Sequence, residues 1–89
     1  MYEIIFSEES KDDLFNIESY IAQDNKYIAE KVINSILNTI QYLSIFPELW
    51  PLKNVKYREI VETVYKYQIR YKLESNFIYI MTIYKYQNK

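Results

Sequence analysis

Hydrophobic positions recur along this chain with two different periods, and each change of period marks an element. Tyr2 to Phe6, "YEIIF", is a short β-prone run that predicts a first strand. The spacing then turns helical. Leu14, Ile17 and Ile21 fall at i, i+3 and i+7, with Phe15 and Ala22 widening the stripe. Ser7 is placed to cap this helix, and Glu8, Glu9, Asp12 and Asp13 crowd its first turns, where negative charge complements the helix dipole. It ends near Gln23 to Lys26. Ala29, Val32, Ile33, Ile36, Ile40 and Leu43 then recur at three- and four-residue steps, the strongest helical signal in the chain, until Pro47 stops it. So short a connection between two helices predicts an antiparallel hairpin.

Period two takes over in the second half. Phe46 to Lys56 carries both prolines and the single tryptophan and reads as a loop, with Phe46 and Trp50 as its core anchors. Tyr57 to Glu62 reads as a strand. In Tyr65 to Glu74, "YKYQIRYKLE", apolar and charged residues alternate, and Phe77 to Tyr86 forms the last strand. A two-residue Ser75-Asn76 turn sets Leu73 opposite Ile78, Tyr71 opposite Ile80, Ile69 opposite Thr82, Tyr67 opposite Tyr84 and Tyr65 opposite Tyr86. The other face pairs Glu74 with Phe77, Lys72 with Tyr79, Arg70 with Met81, Gln68 with Ile83 and Lys66 with Lys85. Cations and apolar side chains mix there, and exposed contiguous apolar area usually marks a contact site. The expected fold is α+β, β-α-α-β-β-β, with the helix hairpin on one face of a small antiparallel sheet and the other face open. Residues 1–89 are read as a single domain without repeats.

Composition narrows the chemistry. The chain has no Cys and no His, which excludes disulfides, thiolate or imidazole metal sites and His-assisted nucleophilic catalysis. It has no Gly, which excludes a glycine-rich phosphate loop and leaves Asn25, Asn54 and Asn76 as the expected positive-φ turn residues. No metal or other cofactor is expected. The formal charge is −1, but it is unevenly spread: seven acidic residues and one Lys lie in the stretch through Asp24, against eight basic and three acidic from Lys53 onward. No apolar run approaches the length of a membrane span, and no signal-like N-terminus is present, so a cytoplasmic chain without membrane contact is expected.

Four stretches carry a resemblance. "DLFNIESYIA" (Asp13 to Ala22), "ILNTIQYLSIFPELW" (Ile36 to Trp50), "REIV" (Arg58 to Val61) and "YKYQIRYKLESNFIYIMTIYK" (Tyr65 to Lys85), in this order, resemble the RelE/ParE superfamily of type II toxin–antitoxin toxins. The resemblance covers nearly the whole chain. It implies a bacterial growth inhibitor, linked to plasmid stabilisation and neutralised by a cognate antitoxin. The superfamily divides into ribosome-dependent mRNA endonucleases that use no metal and ParE-like inhibitors that bind DNA gyrase.

Nuclease chemistry needs several cations converging on one phosphate. The resemblance implies Lys56, Arg58, Arg70, Lys85 and Tyr86 as the candidates. It also places Gln68, and Gln87 or Asn88, where the nuclease branch carries arginines. A neutral amide cannot stabilise developing charge as a guanidinium does, which favours the ParE-like branch and an inhibitor that is not an enzyme. The expected antitoxin- or target-binding face is Lys66, Gln68, Arg70, Lys72, Phe77, Tyr79, Met81, Ile83 and Lys85. The alternatives are a nuclease acting on translated mRNA at the ribosome and a degenerate relative that retains only antitoxin binding.

Overall fold

A computed structural model describes residues 2–50, 52–53 and 56–85. The elements run β1 (Glu3–Phe6), α1 (Glu8–Ala22), α2 (Lys26–Leu43), β2 (Arg58–Glu62), β3 (Tyr67–Leu73) and β4 (Phe77–Lys85). This is the expected β-α-α-β-β-β order. The sheet is ordered β1-β4-β3-β2, and β2, β3 and β4 form an antiparallel meander. β1 instead pairs with β4 in parallel, which makes the sheet mixed. The cause is topological: the helix hairpin carries the chain across one face to the far edge, and the meander returns β4 alongside β1 in the same direction.

Both helices begin on side-chain caps. The Ser7 hydroxyl accepts the Ser10 N–H at 3.0 Å, and the Asn25 amide oxygen accepts the Ile28 N–H at 3.0 Å. Asn25 is therefore a cap in extended backbone rather than a positive-φ residue. Among the described residues positive φ falls on Lys66 (φ 67°), not on Asn76, while Asn54 lies outside them. Lys66 closes the β2–β3 connection, donating its N–H to the Glu62 carbonyl at 3.0 Å.

α2 supplies Val32, Ile36, Ile40 and Leu43 to a core completed by Ile60, Ile69, Tyr71, Ile78, Ile80 and Ile83. α1 adds Leu14, Ile17 and Ile21 along a narrower stripe than its spacing implied, for Phe15 is 67% exposed. Trp50 packs against the core and meets Tyr42 edge-on at 5.9 Å, as expected of an anchor. Phe46 does not; it stands on the surface with its ring against Tyr42. The loop is held instead through Pro47, whose carbonyl accepts the buried Tyr71 hydroxyl at 2.8 Å. Burial pushes that hydroxyl up to about 12, against the opposing charge of Arg58.

The β3–β4 register departs from expectation at one point. Leu73, Lys72 and Tyr71 face Ile78, Tyr79 and Ile80 as expected. A bulge then intervenes, and Arg70, Ile69, Gln68 and Tyr67 face Thr82, Ile83, Tyr84 and Lys85. Met81 is the extra residue. Because side chains alternate with period two, one inserted residue reverses the face of every later one. Ile83 enters the core and Tyr84 leaves it. The regular pairing would bury Thr82 and Tyr84 while exposing Ile83. The bulge is fixed from the helix side: Ser7 donates its hydroxyl to the Met81 carbonyl at 2.8 Å and its N–H to the Ile80 carbonyl at 3.0 Å. One Asp13 carboxylate oxygen accepts the Thr82 hydroxyl and the Ile83 N–H, each at 2.9 Å.

A buried carboxylate organises the β2–β3 turn. Glu62, 1% exposed, accepts the Ser35 hydroxyl at 2.7 Å and the N–H groups of Val64 and Tyr65 at 2.7 and 3.0 Å. Burial alone would raise its pKa, but these hydrogen bonds favour the charged form and hold it below the usual carboxylate value. A lowered folded-state pKa gives stability that is present above the unfolded value and is lost as pH falls through the folded one. Thermal melts from pH 7 to pH 3 should show the midpoint falling below about pH 4.5, with that dependence flattened in Glu62→Gln. The same substitution should cost about 2 kcal/mol at pH 7, measured by urea unfolding.

Candidate functional site

The helices cover one face of the sheet, and the other carries a polar cluster next to an apolar strip. Tyr57 and Glu59 at the β2 end, Gln68, Arg70 and Lys72 on β3, and Phe77, Tyr79 and Tyr84 on β4 fall on this open side by register. Ile5 joins them opposite Tyr79. Met81, at the bulge, lines a cleft of about 450 Å³ with Arg70, Tyr79 and Ser7.

Glu59 is the hub of the polar cluster. Its carboxylate accepts the Gln68 amide at 2.8 Å, the Arg70 Nε at 3.0 Å and the Tyr84 hydroxyl at 2.8 Å, and Arg70 Nη2 stands 2.9 Å from the same oxygen that Tyr84 bonds. The guanidinium also lies 4.3 Å over the Tyr57 ring. Burial would lower the Arg70 pKa, but the Glu59 hydrogen bond and the neighbouring Tyr84 and Glu59 more than offset it, so the guanidinium is held charged. The Tyr84 hydroxyl is pushed up, first by burial and then by Glu59, against the opposing effect of Arg70. The result is a locked ion pair whose acid has only 9% of its side chain exposed.

The candidate catalytic residues do not converge. Arg70 stands on the open face, paired with Glu59. Arg58 shares the helix side with its register partner Tyr71, and its guanidinium donates to the Trp50 carbonyl at 2.6 Å, pinning the loop. Lys85 was expected on the open face. The bulge turns it to the helix side, where its ammonium donates to the Tyr65 carbonyl and lies 4.8 Å over the Tyr67 ring. Lys56 is exposed just before β2. Tyr86, Gln87 and Asn88 lie outside the described residues.

The expected binding face changes in the same way. Gln68, Arg70, Lys72, Phe77, Tyr79 and Met81 gather on or beside the open face. Ile83 is in the core, Lys85 is on the other side, and Lys66 is in a turn rather than a strand. Glu59 and Tyr57 are absent from the face expected from the sequence, and Tyr84 is expected on the core side, opposite Tyr67. A signal for Glu59 was present: folding β2 onto β3 about the Val64–Tyr65 step sets it directly opposite Arg70 as a cross-strand pair of opposite charge. Tyr84 carried no such signal, because its face depends on the bulge. Among the described residues, no group of three or more acidic side chains could hold a metal ion. Nor is any helix there long and apolar enough to cross a membrane.

Residues 4–87 match the family model of the ParE toxin of the type II toxin–antitoxin system parDE. No curated protein sequence matches significantly. Solved structures share the fold. A chain of the chromosomal ParDE toxin–antitoxin system from P. aeruginosa superposes with a TM-score of 0.80 at 15% identity, covering 98% of each chain. The intact E. coli RelBE toxin–antitoxin complex gives 0.68 at 11% identity, covering 99% of this chain and 100% of that one. The YoeB dimer from Staphylococcus aureus gives 0.63 at 19%, covering 98% of each.

The Glu59 cluster should behave as one unit. Glu59→Ala is expected to cost about 2 kcal/mol and Tyr84→Phe about 1 kcal/mol. The double variant should lose less than the sum, because the two substitutions remove a shared bond. Urea unfolding of the four proteins measures the coupling.

Proposed function

Because this chain belongs to the ParE toxin family of type II toxin–antitoxin systems, we propose that it is a bacterial, cytoplasmic growth inhibitor that acts by binding DNA gyrase rather than by cutting RNA. Its 89 residues act as one domain, and a cognate antitoxin neutralises it. The observation that carries the reading is the division of the candidate cations. Arg70 is paired with Glu59 on one face, while Arg58 and Lys85 stand on the other, each donating to a backbone carbonyl. Metal-independent RNA cleavage requires positive groups aimed together at one phosphate, and a carboxylate already bonded to the arginine repels that phosphate. A binding inhibitor requires no such convergence.

The open face suits binding. Ile5, Phe77, Tyr79 and Met81 offer apolar and aromatic area beside the positive charge of Lys72, and partly exposed aromatic anchors dominate the energetics of many interfaces. The antitoxin contacts this face through apolar residues with a carboxylate near Lys72.

Induced expression, followed by primer extension on cellular mRNA and a plasmid-topology gel, tests the reading. Altered supercoiling with intact transcripts is expected; codon-positioned cuts in translated mRNA would establish the nuclease reading instead. Growth unaffected by induction would leave a relative that retains only antitoxin binding. Lys72→Glu with Tyr79→Ala should weaken antitoxin binding at least tenfold, about 1.4 kcal/mol, in a calorimetric titration.

A further inference from the structure

The tip of the helix hairpin lies over the end of the sheet, and a groove of about 610 Å³ opens between them. Ile17, Ile21 and Val32 line it together with Tyr20 and Tyr67, and among the described residues Lys85 is the one charged residue in its wall. Among the described residues no carboxylate lies within salt-bridge distance of the Lys85 ammonium. Its described partners are the Tyr65 carbonyl and the face of the Tyr67 ring, which leaves donor capacity for an incoming anion. The groove thus calls for an apolar or aromatic body with a carboxylate at its edge.

The tip that forms its rim carries that chemistry. Tyr20 and Tyr27 are 76% and 66% exposed, and Ile28 is 36% exposed. Asp24, in the turn between the helices, is exposed and has its N–H tied to the Ile21 carbonyl. Tyr20 and Ile28 line the groove with Lys85, while Asp24 in the turn and Tyr27, whose ring has the Lys31 ammonium 5.0 Å over it, stand next to them in sequence at the tip. A patch that contains both halves of its own complement is what a two-fold dimer requires, since each half meets its counterpart twice across the axis.

We propose that the hairpin tip and this groove form the self-association surface of the chain, with Tyr20 and Tyr27 of each copy against the groove of the other and Asp24 paired with Lys85 across the two-fold axis. The open sheet face lies outside this contact.

Sedimentation velocity over a concentration series from low micromolar to near millimolar tests the proposal on the purified chain. The mass should rise with concentration towards twice 11.0 kDa. Asp24→Lys and Lys85→Glu should each raise the dissociation constant about tenfold or more, and the combined swap should recover most of the loss, with far-ultraviolet circular dichroism unchanged throughout. A wild-type chain that stays monomeric over the whole range overturns the proposal and leaves the groove to an acidic segment of a different protein. A dimer indifferent to both single substitutions, or one that the swap fails to restore, overturns it equally.

Discussion

One inserted residue in β4 decides which side chains this molecule shows and which it hides. At Met81 the strand bulges, and every residue after it changes face. The bulge lies where the parallel β1 pairing ends and α1 begins, and that junction is what holds it. Ser7 both caps the helix and hydrogen-bonds the Met81 carbonyl, while Asp13, in the second turn of α1, captures Thr82 and the Ile83 amide. A regular pairing that kept every residue would instead force Thr82 and Tyr84 into the core and Ile83 into water. Burying an aliphatic side chain such as isoleucine is worth about 1.5–3 kcal/mol, so core formation itself selects the bulged register.

The electrostatics follow from that choice. Tyr84 reaches Glu59 because the bulge turns it outward, and Glu59 in turn fixes Arg70. Lys85 is turned inward by the same step. A chain that carries several candidate phosphate ligands in sequence thereby becomes a molecule in which those groups stand on opposite faces. What remains accessible on the open side mixes apolar and aromatic side chains with Lys72 and with the carboxylates of Glu3, Glu8 and Glu9 at its β1 edge and cleft. A surface of this kind suits recognition of another protein by shape and burial, and the proposal of a binding inhibitor rests on it.

Much of this was legible before the structure. The 3.6-residue spacing of Val32, Ile36, Ile40 and Leu43 marks the buried face of α2, and Ser7 is legible as a cap because it precedes an acidic first turn. The alternation of β3 identifies Ile69 and Tyr71 as core. What escaped has a common cause. A bulge leaves no mark in the period of either strand alone; it emerges when two strands, a helix N-terminus and a core must all be satisfied together. Phe15 and Phe46 were misassigned for a related reason, since a helix or loop position adjacent to the apolar stripe is buried only if a neighbouring element reaches it. Among the described residues positive φ fell on Lys66 rather than on Asn25 or Asn76, because the Glu62 hydrogen bonds fix the β2–β3 turn whatever its intrinsic preference.

The register of β3 against β4 beyond Tyr71 is the claim on which the rest turns, and cross-strand nuclear Overhauser effects in the isotope-labelled protein measure it directly. Contacts of Ile69 with Ile83 and of Gln68 with Tyr84, together with contacts between the Arg70 side chain and the Tyr84 ring, are the predicted result. Contacts of Ile69 with Thr82 and of Gln68 with Ile83 would describe a regular hairpin without the bulge. They would return Lys85 to the face of Arg70 and contradict the account.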